Sequence, residues 1–161
     1  MAIPNRNADP GHIVDAGRTF FVTTKTHMGR HLLQSDRSAA LLVEVLRSCI
    51  RARRFQLHDF VIMPNHLHLL ITPSSDVTIE KAMQFIKGGF SFRLRRETGY
   101  AGEVWQRGFS DHRVRDLGSF DNHRRYIAAN PVRAGLATSP GQYPWCFATL
   151  AREQAAHTPQ S

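Results

Sequence analysis

Cysteine, acidic residues and long apolar runs are scarce in this 161-residue chain. Its two cysteines, Cys49 and Cys146, cannot build a disulfide framework. Cys49 falls within an apolar helical pattern and reads as a small core residue. No apolar stretch approaches the ~20 residues needed to span a bilayer, so no membrane segment is expected. The opening MAIPNRNADPGH has no basic segment followed by an apolar run, as a secretory leader would. A reducing cytoplasm is the expected compartment. No GxxxxGK[ST] phosphate loop is found. Acidic residues number 13 against 21 Lys and Arg, leaving a formal charge of +8 before any of nine histidines protonates. Such an imbalance suits a polyanionic partner, with nucleic acid the first candidate; a merely solubilising surface is the other reading.

What is present describes an ordinary globular domain, 42% apolar and 21% charged. Residues 1–17 hold Pro, Asn, Asp and Gly with little apolar content and are expected to form a flexible arm. Residues 18–150 should be one domain, and 151–161 a flexible, frayed tail. Thr19 to Thr24 is aromatic and β-branched, as in a strand. Ser35 or Asp36 can cap a helix reaching about Arg54, whose apolar positions Leu41, Leu42, Val45, Leu46, Cys49 and Ile50 recur at helical spacing. Strands near 55–63 and 66–72 should form a hairpin about Pro64-Asn65. A second helix is expected over 77–98, interrupted by Gly88-Gly89, where a kink, a close approach by another backbone or a tolerated blemish are all open. A short strand near 112–115 and a helix from Ser119 to Asn130 follow, with Pro131 ending that helix. This order is the split β-α-β pattern of a ferredoxin-like α+β fold, with an antiparallel sheet, helices packed on it and an added C-terminal helix.

Two segments carry chemistry. In MPNHLHLL, His66 and His68 alternate onto one face of a strand, where two imidazoles can meet one cation or simply pack. In YIAANPVRAGL, Tyr126 and Asn130 are neighbours on one helical face. Phenols ionise near pH 10 in water and attack phosphorus poorly unless the phosphate's developing charge is neutralised nearby. A divalent metal would do that, and Asn130 could offer it a carbonyl oxygen. Taken alone, Tyr126 would read as a boundary aromatic and Asn130 as a helix-end residue.

MPNHLHLL resembles the HUH (histidine-hydrophobic-histidine) motif of single-strand nucleases. YIAANPVRAGL, the preceding EVWQRGFSDHRVR and the strand GRTFFVTTKT resemble the single-tyrosine HUH transposases, in particular those of the REP-associated and insertion-sequence-200-like types. The likeness covers about residues 17–147. It implies His66 and His68 as metal ligands, Tyr126 as the catalytic tyrosine, and Asn130 as a third, polar ligand. The chain departs from the pattern at Ser110, where the family often has histidine, and at PWCF, where it often has a serine pair.

The resemblance implies a metal-dependent endonuclease and strand transferase for single-stranded DNA, acting through a covalent 5′-phosphotyrosine, on hairpin-forming repeats. Mn²⁺ or Mg²⁺ is the cofactor it implies, while imidazole ligands alone would equally suit Zn²⁺. Arg51, Arg54, Lys87, Arg95, Arg113, Arg115 and His112 are the candidate DNA contacts; His112 could instead assist proton transfer or pack. Trp105, Phe109 and Phe92 could stack on bases or be buried. A monomer is expected rather than a dimer. A non-catalytic DNA-binding regulator of the same fold, and a phosphodiesterase that activates water, are the competing functions.

Overall fold

Alternation of side chains along three adjacent strands sorts the chain into two unequal cores. The computed structural model describes residues 18–156; the expected arm at 1–17 and residues 157–161 lie outside them. Four strands, β1 (Phe20–Lys25), β2 (Phe55–Met63), β3 (His66–Pro73) and β4 (Ser110–Arg113), form one sheet in the order β2-β3-β1-β4. All three pairings are antiparallel. Four α-helices join them: α1 (Asp36–Arg51), α2 (Ile79–Thr98), α3 (Leu117–Arg133) and α4 (Phe147–Ala156). The strand order is that of the expected ferredoxin-like split β-α-β fold, and Pro64-Asn65 is the hairpin turn between Met63 and His66.

One face of the sheet presents Phe20 and Val22, Leu67, Leu69 and Ile71, and Leu57, Phe60 and Ile62 to α1 and α2, which add Leu42, Leu46, Ile86 and Phe90 to a large apolar core. The other face presents Phe21, Leu70, Val61 and Met63 to α3, which adds only Phe120 and Ile127 to a much smaller one. His66 and His68 stand on this second face.

Local chemistry sets the element ends. The Ser35 and Thr78 hydroxyls cap α1 and α2 by accepting from the backbone N–H of Ser38 and Lys81, and the Asp116 carboxylate caps α3 by accepting from Ser119. Helix α1 stops at Arg51 rather than Arg54. Arg53 takes a left-handed conformation, with φ of 57°, and turns the chain into β2. Helix α2 runs unbroken through Gly88-Gly89. A β-carbon on Gly89 would lie 3.0 Å from Val45 Cγ1, so this glycine serves a close approach of α1.

Three elements differ from expectation. Helix α3 does not end before Pro131 but carries it and continues to Arg133. Proline disfavours the helical state of its predecessor without forbidding it, and here Pro131 is buried at the helix end. Strand β4 begins two residues earlier than expected. All four of its side chains are exposed, so no apolar alternation marks it. Residues 151–156, expected to fray, belong to α4, whose Phe147 and Leu150 are buried in the larger core.

Candidate active site

Antiparallel register decides which side chains share the imidazole face. Thr23 pairs with His68 and Lys25 with His66, while Val61 and Met63 flank the same two histidines from β2. Directly opposed residues point to one side of a sheet, so the histidines emerge between a hydroxyl and an ammonium on β1 and an apolar edge on β2. Their ring centroids are 4.7 Å apart. Helix α3 lies over them: the Tyr126 ring meets His68 edge-on at 5.4 Å, and Asn130 Nδ2 is 3.3 Å from His68 Nε2. His66 and His68 thus share one face, as expected, and Tyr126 and Asn130 converge on them.

Each imidazole is held from behind. The His66 Nδ1–H donates to Asn65 Oδ1 at 2.8 Å, since an amide oxygen only accepts. Because His68 Nε2 accepts from Asn130, the His68 proton sits on Nδ1, which donates to Thr23 Oγ1 at 2.9 Å. The Nε2 lone pair of His68 faces Asn130, whose amide also bonds the His66 ring. Burial favours the neutral rings. It pushes the His68 pKa down to about 3, helped by the neighbouring His66, Arg133 and Lys25. It also lowers that of His66, with Lys25 adding to the effect and the Asn130 hydrogen bond opposing it. The result suits cation binding: two uncharged imidazoles, an amide that can present its oxygen, and an outer partner for each ring. Among the described residues there is no group of three His, Cys, Asp or Glu side chains that could hold a metal. Any ion here would therefore have a neutral, incomplete protein shell, with positions left for phosphate oxygens.

Tyr126 is 41% exposed, unusual for an aromatic that touches a core. Phe21 supports it edge-on at 5.8 Å and also stacks on His123 at 4.5 Å. The Arg133 guanidinium lies 4.5 Å from the Tyr126 ring centre. Two turns along α3 from the tyrosine, it brings a fixed positive charge to the phenol. The helix is anchored on β2 by Arg124, whose Nε lies 3.8 Å from an oxygen of the buried Asp59 carboxylate.

The family model for IS200-like transposases matches residues 21–130, spanning β1, both histidines, Tyr126 and Asn130. This chain belongs to that family. It is 26% identical, over 140 residues, to the REP-associated tyrosine transposase of Escherichia coli K12, an alignment covering 86% of this chain and 80% of that protein. Among solved structures, a REP-associated tyrosine transposase bound to a REP hairpin superimposes with a TM-score of 0.71 at 25% identity, covering 91% of this chain and 85% of the other. A Deinococcus radiodurans crystal structure shares the fold at 20% identity, with a TM-score of 0.52 and coverage of 68% of this chain and 87% of the other.

In this transposase the expected DNA contacts do not gather at the imidazoles. Arg51 ends α1 and Arg95 lies near the end of α2, so both belong to the helical layer behind the sheet. Arg54, just beyond α1, stacks over Phe85 of α2 at 4.1 Å. Arg113 pairs with Phe20 in the sheet and lies over its ring, again on the helical face. Arg115 is exposed beyond the end of β4. Lys87 is committed elsewhere: its ammonium donates to the carbonyls of Gln106 and Gly108 at 3.1 and 2.8 Å, and burial lowers its pKa. Of the set, His112 alone shares the histidine face, exposed and paired with Phe21. Of the candidate stacking aromatics, Trp105 and Phe109 pack against the larger core while Phe92 is 62% exposed.

Sequence reading missed Thr23, Lys25, Asn65 and Arg133, which surround the site. Arg133 had a usable signal, because seven residues separate it from Tyr126 and two helical turns bring such positions to one face. Thr23 and Lys25 depend on a pairing with β3 that no local pattern encodes.

Proposed function

We propose that this transposase cuts single-stranded DNA beside a hairpin by attack of Tyr126, and rejoins strands through a 5′-phosphotyrosine. The observation that carries the reading is the meeting of Tyr126, Asn130 and His68 on one face of the sheet. The likeness to a relative solved with a REP hairpin supports hairpin DNA as the substrate class. A location in the cytoplasm is part of the same proposal; no described helix is long and apolar enough to cross a membrane.

In the reaction, the Tyr126 hydroxyl oxygen forms a bond to phosphorus while the bond to the 3′-oxygen breaks. The phenolic proton passes to solvent at the open side of the site, and the departing 3′-oxygen takes one up. The phosphodiester is conserved as an aryl ester, so a second 3′-hydroxyl can reverse the step and join a new strand. His66 and His68, through Nε2, and Asn130, through its amide oxygen, would hold a divalent ion. Mn²⁺ or Mg²⁺ would supply Lewis acidity at the phosphate. Thr23 and Asn65 keep the two rings in their ligating tautomers. Arg133 orients the phenol and offsets charge developing on the transferred phosphoryl group. The neutral rings and amide leave the ion's positive charge undiminished towards DNA.

The test is a denaturation-resistant adduct between the protein and labelled hairpin DNA in Mn²⁺. Tyr126→Phe is expected to abolish the adduct and leave hairpin binding in place. An adduct undiminished in that variant removes Tyr126 from the nucleophile's role, and cleavage without any adduct assigns the attack to water. Binding with neither cleavage nor adduct under any divalent ion identifies a non-catalytic regulator.

A further inference from the structure

Beside the histidines, on the same face, a cavity of about 250 Å³ opens between β1 and the loop that leads into β4. Thr23, Lys25, Gln106, Arg107, Phe109 and Ser110 line it. Thr23 is the residue bonded to His68 and Lys25 is opposite His66, so the cavity shares a wall with the active site. Ser110 pairs with Thr23 from the far side.

The outer wall is built in advance. Gln106 N–H donates to the Lys25 carbonyl at 2.9 Å, and Thr26 bridges to Trp105, whose indole N–H donates to the Lys87 carbonyl at 2.9 Å. The Lys87 ammonium then clamps the carbonyls of Gln106 and Gly108. A lysine spent on two loop carbonyls is a device for holding a surface loop in one shape, here around a cavity rather than around core. At about 250 Å³ the space falls just below the roughly 300–1,000 Å³ of small-molecule sites, which suits one nucleotide and not several.

The lining names the ligand class. Two cations, Lys25 and Arg107, match a phosphate. An amide and two hydroxyls, from Gln106, Ser110 and Thr23, can read a base edge, and Phe109, half-buried between the larger core and the cavity, can meet the base with the part of its ring that lines the space. We propose that this cavity binds one unpaired nucleotide adjoining the scissile phosphate, and so sets where the strand is cut. This rests on the transposase reading above, since it takes the strand at Tyr126 to be single-stranded DNA.

The experiment is an abasic scan. A fluorescent hairpin with a single-stranded tail is made with one base removed at each tail position in turn, and its affinity for the wild-type protein is read by anisotropy in EDTA, where cleavage is stopped. One tail position is expected to show a loss of about tenfold, the scale of a single base stacked and hydrogen-bonded in a protein. Gln106→Ala and, separately, Phe109→Ala should bind the intact DNA more weakly and flatten the penalty at that position, leaving the others unchanged. A uniform profile, no tail binding, or a position-specific penalty unaltered by both substitutions overturns the proposal. The adduct assay separates this from the parent reading. An adduct at Tyr126 with a flat abasic profile removes the cavity alone. A position-specific penalty that both variants flatten, without any adduct, keeps the cavity as a nucleotide site on a non-cleaving protein.

Discussion

The two faces of the sheet solve opposite problems. The face beneath α1 and α2 is closed by Leu67, Leu69, Ile71, Phe60 and Phe90, with Ile86 and Phe90 wholly inaccessible. The face beneath α3 keeps a short apolar strip, Phe21, Leu70, Phe120 and Ile127, and gives the rest of its area to histidines, hydroxyls and cations. Stability is concentrated on one side, which lets the other hold neutral imidazoles close together and leave a tyrosine open to solvent. The difference teaches that alternation along β3 serves both ends at once: Leu67 and Leu69 fill the core because His66 and His68 do not.

If the faces divide labour in this way, substitutions on them should separate. The largest expected effect is on the open face, where His66→Ala should reduce Mn²⁺-dependent cleavage by about a thousandfold or more, the scale of a lost catalytic group. Its thermal midpoint should move little, because the ring is only half-buried. Equal losses of cleavage and of folded protein would erase the distinction. On the closed face, Leu69→Ala should lose about 2–5 kcal/mol in denaturant unfolding, from lost burial and the cavity left behind. Its adduct yield per folded molecule should match wild type; a specific loss of chemistry would show the faces to be coupled.

A third test uses acid. Burial pushes the His58 pKa down to about 4, with Arg124 adding to the effect, and its Nε2 is bonded to Thr72 Oγ1 at 2.8 Å. Between that value and the ordinary 6.5, the unfolded chain binds the proton and the folded chain does not. This contribution is therefore complete above pH 6.5 and is lost as pH falls towards 4, on the order of 2–3 kcal/mol. His58→Gln should flatten that slope in unfolding free energies measured from pH 7 to pH 4.5. An unaltered slope would assign the acid sensitivity to other groups, His68 first among them. The smallest effect belongs to Thr24, on the closed face, whose buried hydroxyl has no hydrogen-bond partner. Thr24→Val should raise stability by about 1 kcal/mol without changing cleavage; a loss of stability would reveal a partner for the hydroxyl.

The sequence exposed what short-range patterns encode. Period-two alternation placed His66 and His68 on one face, helical spacing joined Tyr126 to Asn130, and the order of elements led to the antiparallel sheet. It did not expose what depends on register between distant strands. Thr23 and Lys25 look like any polar residues of a strand until β3 is laid against β1. The arginines show the same limit from the other side. Positive charge is visible in sequence, but the layer that carries it is not, and Arg54, Arg95 and Arg113 stand away from the imidazole face. Nothing local shows that the Lys87 ammonium is already occupied by the carbonyls of Gln106 and Gly108. Strand β4 was misplaced because Ser110, Asp111, His112 and Arg113 carry no apolar period.

The Arg124–Asp59 contact constrains how strands would be exchanged in the proposed reaction. Arg124 grips β2 half a turn before Tyr126, and Ile127 is sunk beside it in the smaller core. A swing of Tyr126 away from the histidines would have to part a guanidinium from a buried carboxylate and lift Ile127 and Phe120 into water. Phenol and imidazoles are therefore held together by the packing of α3, and under the proposed reaction it is the DNA ends that would trade places around them.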